Sequence, residues 1–184
     1  MIPLILMVVL ITSLWWMNNT LVARKNDVAK AFSSIDVMLK KRYDLIPNLV
    51  ETLKVYIGYE RGLLADLTEL RSRAMNTGTG VEDRLKTETL LTQKLGNIMV
   101  VAENYPDLKA NRNFLQLQAA WNETEEQIAA SRRAYNASVT EYNNSVEMFP
   151  TNMLATMMKY KPKTWFESGP EEKTNIKAEN LFNS

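Results

Sequence analysis

Glu123, Glu125 and Glu126 stand close together late in the chain, and Glu82, Asp83 and Glu88 form an earlier acidic group. Carboxylates hold hard cations when several converge on one point. On helices these spacings spread the acids around a polar face and mix them with Lys86 and Gln127, so they read as solvated surface. Ser, Thr, Tyr and Lys are plentiful, yet no strained Gly-x-Ser-x-Gly turn and no glycine-rich phosphate loop accompanies them. The chain has no His and no Cys, which removes histidine-based triads, thiol catalysis, disulfides, zinc sites and Glu-x-x-His di-iron centres. Arg71-x-Arg73 and Arg132-Arg133 could meet anions. The plainer reading puts Arg71 and Arg73 at a helix end, where cations complement the macrodipole, and pairs Arg132 and Arg133 with nearby carboxylates. Lys and Arg total 22 against 21 Asp and Glu, so the chain lacks the positive excess of a nucleic-acid binder. The expectation is a protein without enzymatic activity, cofactor or metal.

The elements that carry these residues are helical, since six Gly and six Pro in 184 residues leave long uninterrupted stretches rich in helix formers. From Ile2 to Met17 the chain is apolar and uncharged. As a helix that run rises about 24 Å, slightly short of a spanning length, and a tilted or locally thinned span accommodates it. Trp15 and Trp16 suit the membrane interface. A cleaved secretory signal would want basic residues before the run and a small-x-small site after it, and neither is present. Arg24, Lys25 and Lys30 follow the span with only the α-amine before it, so the expected topology is single-pass in the cytoplasmic membrane, N-terminus out, C-terminal domain cytoplasmic.

Past the anchor, Leu21, Val28, Phe32, Ile35, Leu39, Ile46, Leu49, Leu53, Ile57, Leu64 and Leu67 recur at threes, fours and sevens, one stripe on one very long helix. Pro47 predicts a kink, or a restart with Asp44 as N-cap. Gly58 and Gly62 weaken the helix without ending it. Asn76 to Gly80 is the clearest loop, and a second helix with Leu85, Leu91, Leu95 and Ile98 ends near Tyr105-Pro106. A third carries Phe114, Leu117, Trp121, Ile128, Tyr135, Val139, Tyr142, Val146 and Phe149, and Pro150 closes it. A short helix over Asn152 to Met158 precedes a tail with Gly169-Pro170. Lys159, Lys161 and Lys163 with Tyr160, Trp165 and Phe166 pack on the bundle in the first reading, and touch an anionic membrane only if the third helix brings them back to the anchor. The fold class is therefore all-α: an N-terminal transmembrane helix continuing into an elongated antiparallel up-and-down helical bundle. The domains are an anchor at 1–20, a bundle at 21–150 and a C-terminal extension at 151–184.

Three strings are specific: LVARKNDVAKAFSSIDVMLKKRYDLIPNLVETLK from Leu21, AENYPDLKANRNFLQLQ from Ala102 and SRRAYNASVTEYNNSVEMFP from Ser131. Together they resemble the bacterial LemA family, in the right order and over nearly all of the chain beyond the anchor. The resemblance implies a single N-terminal span, an N-out orientation and a cytoplasmic helical bundle of no established catalytic function. It gives structural weight to Arg42, Tyr43, Pro47, Asn48, Tyr105, Pro106, Asn111, Phe114, Arg132, Tyr135, Asn136 and Pro150. The asparagines Asn48, Asn111 and Asn136 are expected to fix helix ends or pair across the bundle. Asn18 and Tyr59 depart from the family habit, which has Tyr and His there. Genes of this family often neighbour those of membrane zinc proteases, which implies a quality-control role by association alone.

Two readings of function follow. In the first, the chain is a membrane-anchored scaffold, bound to the bilayer and forming a homo-oligomer, because a short span gains from neighbours and three helices leave long apolar stripes uncovered. In the second, it is an adaptor that binds a membrane protease or another envelope partner through one bundle face. The membrane-interface residues common to both are Trp15, Trp16, Arg24 and Lys25.

Overall fold

No residue that stops a helix stands between Ile2 and Tyr56 except Pro47, and the first element, α1, runs unbroken over Ile2–Tyr56. The computed structural model describes residues 1–57, 61–75 and 81–166, and of 61 and 81–86 it describes the backbone alone. The expected Asn76–Gly80 loop, Gly58, Tyr59, the Gly169-Pro170 step and the side chains of Glu82 and Asp83 lie outside the described residues. After α1 come α2 (Arg61–Met75), α3 (Val81–Ala102), α4 (Pro106–Lys109), α5 (Arg112–Glu147) and α6 (Thr151–Met157). No strand occurs among the described residues. The chain divides into two compact units, residues 1–30 with 134–184, and residues 31–133.

In the first unit, side chains 2–16 are exposed, Trp15 and Trp16 among them, and Met17 is the first buried residue. The helix that this stretch opens is long and apolar enough to cross a membrane. Its hydroxyls are satisfied by the helix itself: Thr12 Oγ1 donates to the Val8 carbonyl at 3.0 Å and Ser13 Oγ to that of Leu10 at 2.8 Å. Such back-bonding removes the penalty of an unpaired polar group in hydrocarbon. Below the run, Met17, Leu21 and Val28 of α1 form one core with Val139, Tyr142 and Val146 of α5 and Leu154 and Ala155 of α6. Arg24 pairs with Glu141 across it at 3.4 Å.

In the second unit, residues 31–56 of α1, then α2, α3 and residues 112–133 of α5 form an up-and-down bundle. Arg71 of α2 reaches Tyr43 of α1 while Val50 faces Leu64, so the two helices are antiparallel. Lys94 of α3 pairs with Asp66 of α2. Lys41 meets Glu123 at 3.7 Å and Tyr56 meets Asn111 at 2.8 Å, which runs α5 antiparallel to α1. Ile46, Leu53, Leu67, Leu91, Leu95, Ile98 and Ile128 fill the interior, each buried.

The pattern of periodicity misassigns several positions. Leu64 and Leu67 do not continue the first helix, because it ends at Tyr56 and they lie on the antiparallel α2. A single helix cannot cover its own apolar stripe, whereas a second helix running back along it does. The helix does not restart at Asp44, whose carboxylate instead takes the Lys40 ammonium at 3.2 Å. Phe32 and Phe149 carry the stripe spacing yet are 41% and 79% exposed. For Phe149 the cause is that α5 stops at Glu147 and the chain turns away before the residue reaches the core.

Candidate functional site

The string RYDLIP places Arg42, Tyr43 and Pro47 within one and a half turns of α1, and a buried polar network is built around them. Arg42 is only 1% exposed. Its Nη1 donates to Glu88 Oε2 at 3.0 Å and its Nη2 to Thr92 Oγ1 at 2.6 Å, both on α3. The guanidinium lies over the Trp121 ring of α5, 4.9 Å from its centroid. The Tyr43 hydroxyl donates to the other Glu88 oxygen in a short contact. Thr92 in turn donates to the Glu88 backbone carbonyl at 3.0 Å, so the hydroxyl that receives Arg42 is held from behind. A buried charge survives only when paired and bonded in this way.

Glu125 of α5 approaches the same cation from the other side. Its Oε1 is 3.0 Å from Arg42 Nε, but the N–H does not point at it, so the pair is one of charge without a directed hydrogen bond. Burial pushes the Glu125 carboxyl above its ordinary value, and Glu88 adds to the rise, while Arg42 and Arg132 pull against it. The desolvation cost outweighs the attraction here. Glu88 and Glu125 are therefore not the solvated surface acids that their spacing predicts. Spacing along one helix is silent about an arginine arriving from another.

Pro47 explains a further bond. In a helix the N–H of residue 47 would donate to the carbonyl of residue 43, and proline has no N–H. Arg71 Nε donates to the Tyr43 carbonyl at 2.8 Å and fills that vacancy. Arg71 thus serves α1 rather than the end of its own helix, whereas Arg73 makes an exposed pair with Glu69. Pro47 and Asn48 are themselves exposed, and Asn48, mid-helix, fixes no helix end. Asn111 does: its Oδ1 accepts the N–H groups of Asn113 and Phe114 at 2.9 and 3.0 Å and caps α5, while its Nδ2 donates to the Tyr56 hydroxyl. Phe114 is in the core, and Pro106 opens α4 after the half-buried Tyr105.

In the first unit, α5 holds an extended segment that follows α6. Asn143 accepts the Lys163 N–H at 2.8 Å and donates to its carbonyl at 2.9 Å, and Asn136 does the same to Phe166 at 2.7 and 3.0 Å. Each amide therefore reads both backbone groups of one residue. Tyr142 donates to the Lys161 carbonyl at 3.0 Å, and the Tyr135 ring meets Phe166 edge-on at 6.5 Å. Burial raises both tyrosine hydroxyls above their ordinary value, with Tyr160 adding to the rise at Tyr142. Lys25 lies over the Tyr160 ring at 5.8 Å. Asn143 escapes a reading by family motif, but a signal was present: the pair Tyr-Asn occurs at 135–136 and again at 142–143, seven residues on and so on one face. Pro150 stands immediately before α6.

In both networks polar groups of the chain bind one another, and the Arg42 Nε–Glu125 Oε1 pair is held by charge alone. Among the described residues no three acidic side chains converge as a metal site would require.

A model of the LemA family matches residues 31–179. Among curated relatives, a protein LemA of Metamycoplasma hominis is 26% identical over 90% of this chain and 75% of its own length. The magnetosome protein MamQ 2 of Paramagnetospirillum magneticum is 25% identical over 95% of this chain and 74% of its own. The magnetosome protein MamQ of Magnetospirillum gryphiswaldense is 23% identical over 96% and 74%. The residues at the centre of the buried network, Arg42, Tyr43, Glu88 and Glu125, all fall inside the matched span, and on that match the chain belongs to the LemA family.

Proposed function

We propose that this chain is a non-catalytic scaffold, anchored by residues 2–16 of α1 in the cytoplasmic membrane and self-associating there. The observation that carries the reading is the exposed apolar run of α1, where Ile2, Leu4, Leu6 and Trp15 are each more than 60% exposed beside a bundle whose apolar stripes are covered. Water opposes that exposure and a bilayer removes it. Arg24 and Lys25, just past the run, support a cytoplasmic bundle. The stripes themselves give self-association no support, since four helical segments bury them within one chain. What supports it is the shortness of the span and the large apolar side chains left outside, Val37, Val55 and Val100, at 59%, 78% and 65% exposed. A second reading, an adaptor for a membrane protease or other envelope partner, is favoured by a shallow groove between α1 and α2 lined by Val50, Leu64, Ala65 and Thr68 and rimmed by Lys54 and Glu69. The test is the mass of the full-length chain in mild detergent and in lipid discs over a range of dilution. A uniform particle of several chains is expected. A strict monomer throughout refutes the scaffold, and crosslinking in membranes that yields self-adducts alone refutes the adaptor.

A further inference from the structure

The end of α5 returns the chain to the base of the anchor. Val146, Leu154 and Ala155 share a core with Met17 and Leu21, the first buried positions after the exposed run that ends in Trp15 and Trp16. The buried face of α6 is thus fixed within about a turn or two of the point where the anchor run stops. Its other face is apolar as well. Met153 and Met157, one turn apart, are 66% and 73% exposed, and Met148 and Phe149 at the preceding corner are 61% and 79% exposed. A seven-residue helix with apolar side chains on two faces has one too many for a water-solvated site.

Apart from the exposed Glu147 that ends α5, the charge along this stretch is positive. From Met148 to Phe166 there is no Asp or Glu, while Lys159, Lys161 and Lys163 follow directly. Lys25, just below the anchor, is tied to the same segment through Tyr160. Apolar side chains flanked by lysines match the boundary between acyl chains and anionic headgroups, whereas a second copy of the same patch would bring like charges together. We propose that the α5–α6 corner and the outer face of α6 are seated in the headgroup region of the leaflet that the anchor leaves. This gives the chain a second membrane contact beside its span. It rests on the reading of residues 2–16 as a bilayer anchor.

The chain contains no cysteine, so single substitutions give unique spin-label sites. Full-length Phe149→Cys and Met153→Cys are labelled in vesicles of phosphatidylcholine and phosphatidylglycerol, with Leu10→Cys in the anchor and the exposed Ala137→Cys, roughly 15 Å back along α5 from its end, as references. All four positions are exposed, so the substitutions leave the core intact. Collision with oxygen against a water-soluble nickel chelate reports depth. Labels at 149 and 153 are expected to be shielded from nickel severalfold relative to 137, and to collide with oxygen as position 10 does. Nickel access at 149 and 153 equal to that at 137, with position 10 still shielded, overturns the interfacial seat alone. Spin–spin broadening at 153 that vanishes on dilution with unlabelled chain overturns it in favour of a second copy. Nickel access at position 10 overturns the anchor and this proposal with it.

Discussion

Removing Arg71 exposes whether the proline in α1 depends on it. Pro47 leaves the Tyr43 carbonyl without its helical donor, and Arg71 Nε supplies one at 2.8 Å. A hydrogen bond from a charged donor contributes about 1.5–3 kcal/mol, and a partly buried arginine delivers the lower part of that range, about 1.5–2 kcal/mol. Arg71→Met is therefore expected to lower stability by that amount. In a Pro47→Ala background the new N–H bonds the Tyr43 carbonyl, so the same Arg71→Met change loses little. The cycle should show a coupling of about 1 kcal/mol or more, beyond the ~0.5 kcal/mol within which independent sites add. Pro47→Ala alone should stabilise, by less than the about 3 kcal/mol that a proline costs in a helix interior, because Arg71 already serves the carbonyl. The assay is thermal unfolding of the full chain in mild detergent, followed by far-ultraviolet circular dichroism for all four variants. Equal losses from Arg71→Met in both backgrounds would refute the reasoning.

Three further outcomes follow from the networks. Arg42→Met strands the Glu88 carboxylate in the core and should cost about 3–5 kcal/mol, a fall in Tm on the order of 10 °C by the same assay; a shift of a degree or two would show that the cation is not the centre of the bundle. Glu125 has a folded pKa raised above its ordinary 4.5, so its contribution to stability is present in full below that value and lost as pH rises through the folded pKa. Stability profiles of the native chain and Glu125→Gln should thus diverge, the native chain gaining on the variant as pH falls from neutral towards 4.5, whereas parallel profiles contradict the assignment. Asn143→Ala removes both bonds to Lys163 and should speed amide exchange at Lys163 by about tenfold without altering global unfolding, as read by hydrogen exchange; unchanged protection means the segment is held by other contacts.

Sequence reading reached the long apolar N-terminal helix, the helical class and the family because each depends on local runs: an uncharged stretch, a period near 3.6 and short ordered strings. It also reached Asn111, whose cap is a contact with residues two and three further on. Periodicity alone could not tell that Leu64 and Leu67 sit on a returning helix, since a stripe reads the same whether the chain continues or folds back over it. The missing N–H of Pro47 was legible, and so was the Tyr43 carbonyl it orphans, but the donor lies on α2, twenty-eight residues away.

Long-range placement was what tertiary structure alone decided. Glu88 and Glu125 look like surface acids in any window of sequence, and they become the partners of a buried cation only when α3 and α5 pack on α1. Phe149 carries the core spacing and yet is exposed, because the helix ends two residues before it. Composition and period determine which faces are apolar, as they follow from residue type and backbone geometry. Which charge meets which, and which apolar face is left for another surface, depends on how the helices close on one another, and no local pattern encodes that.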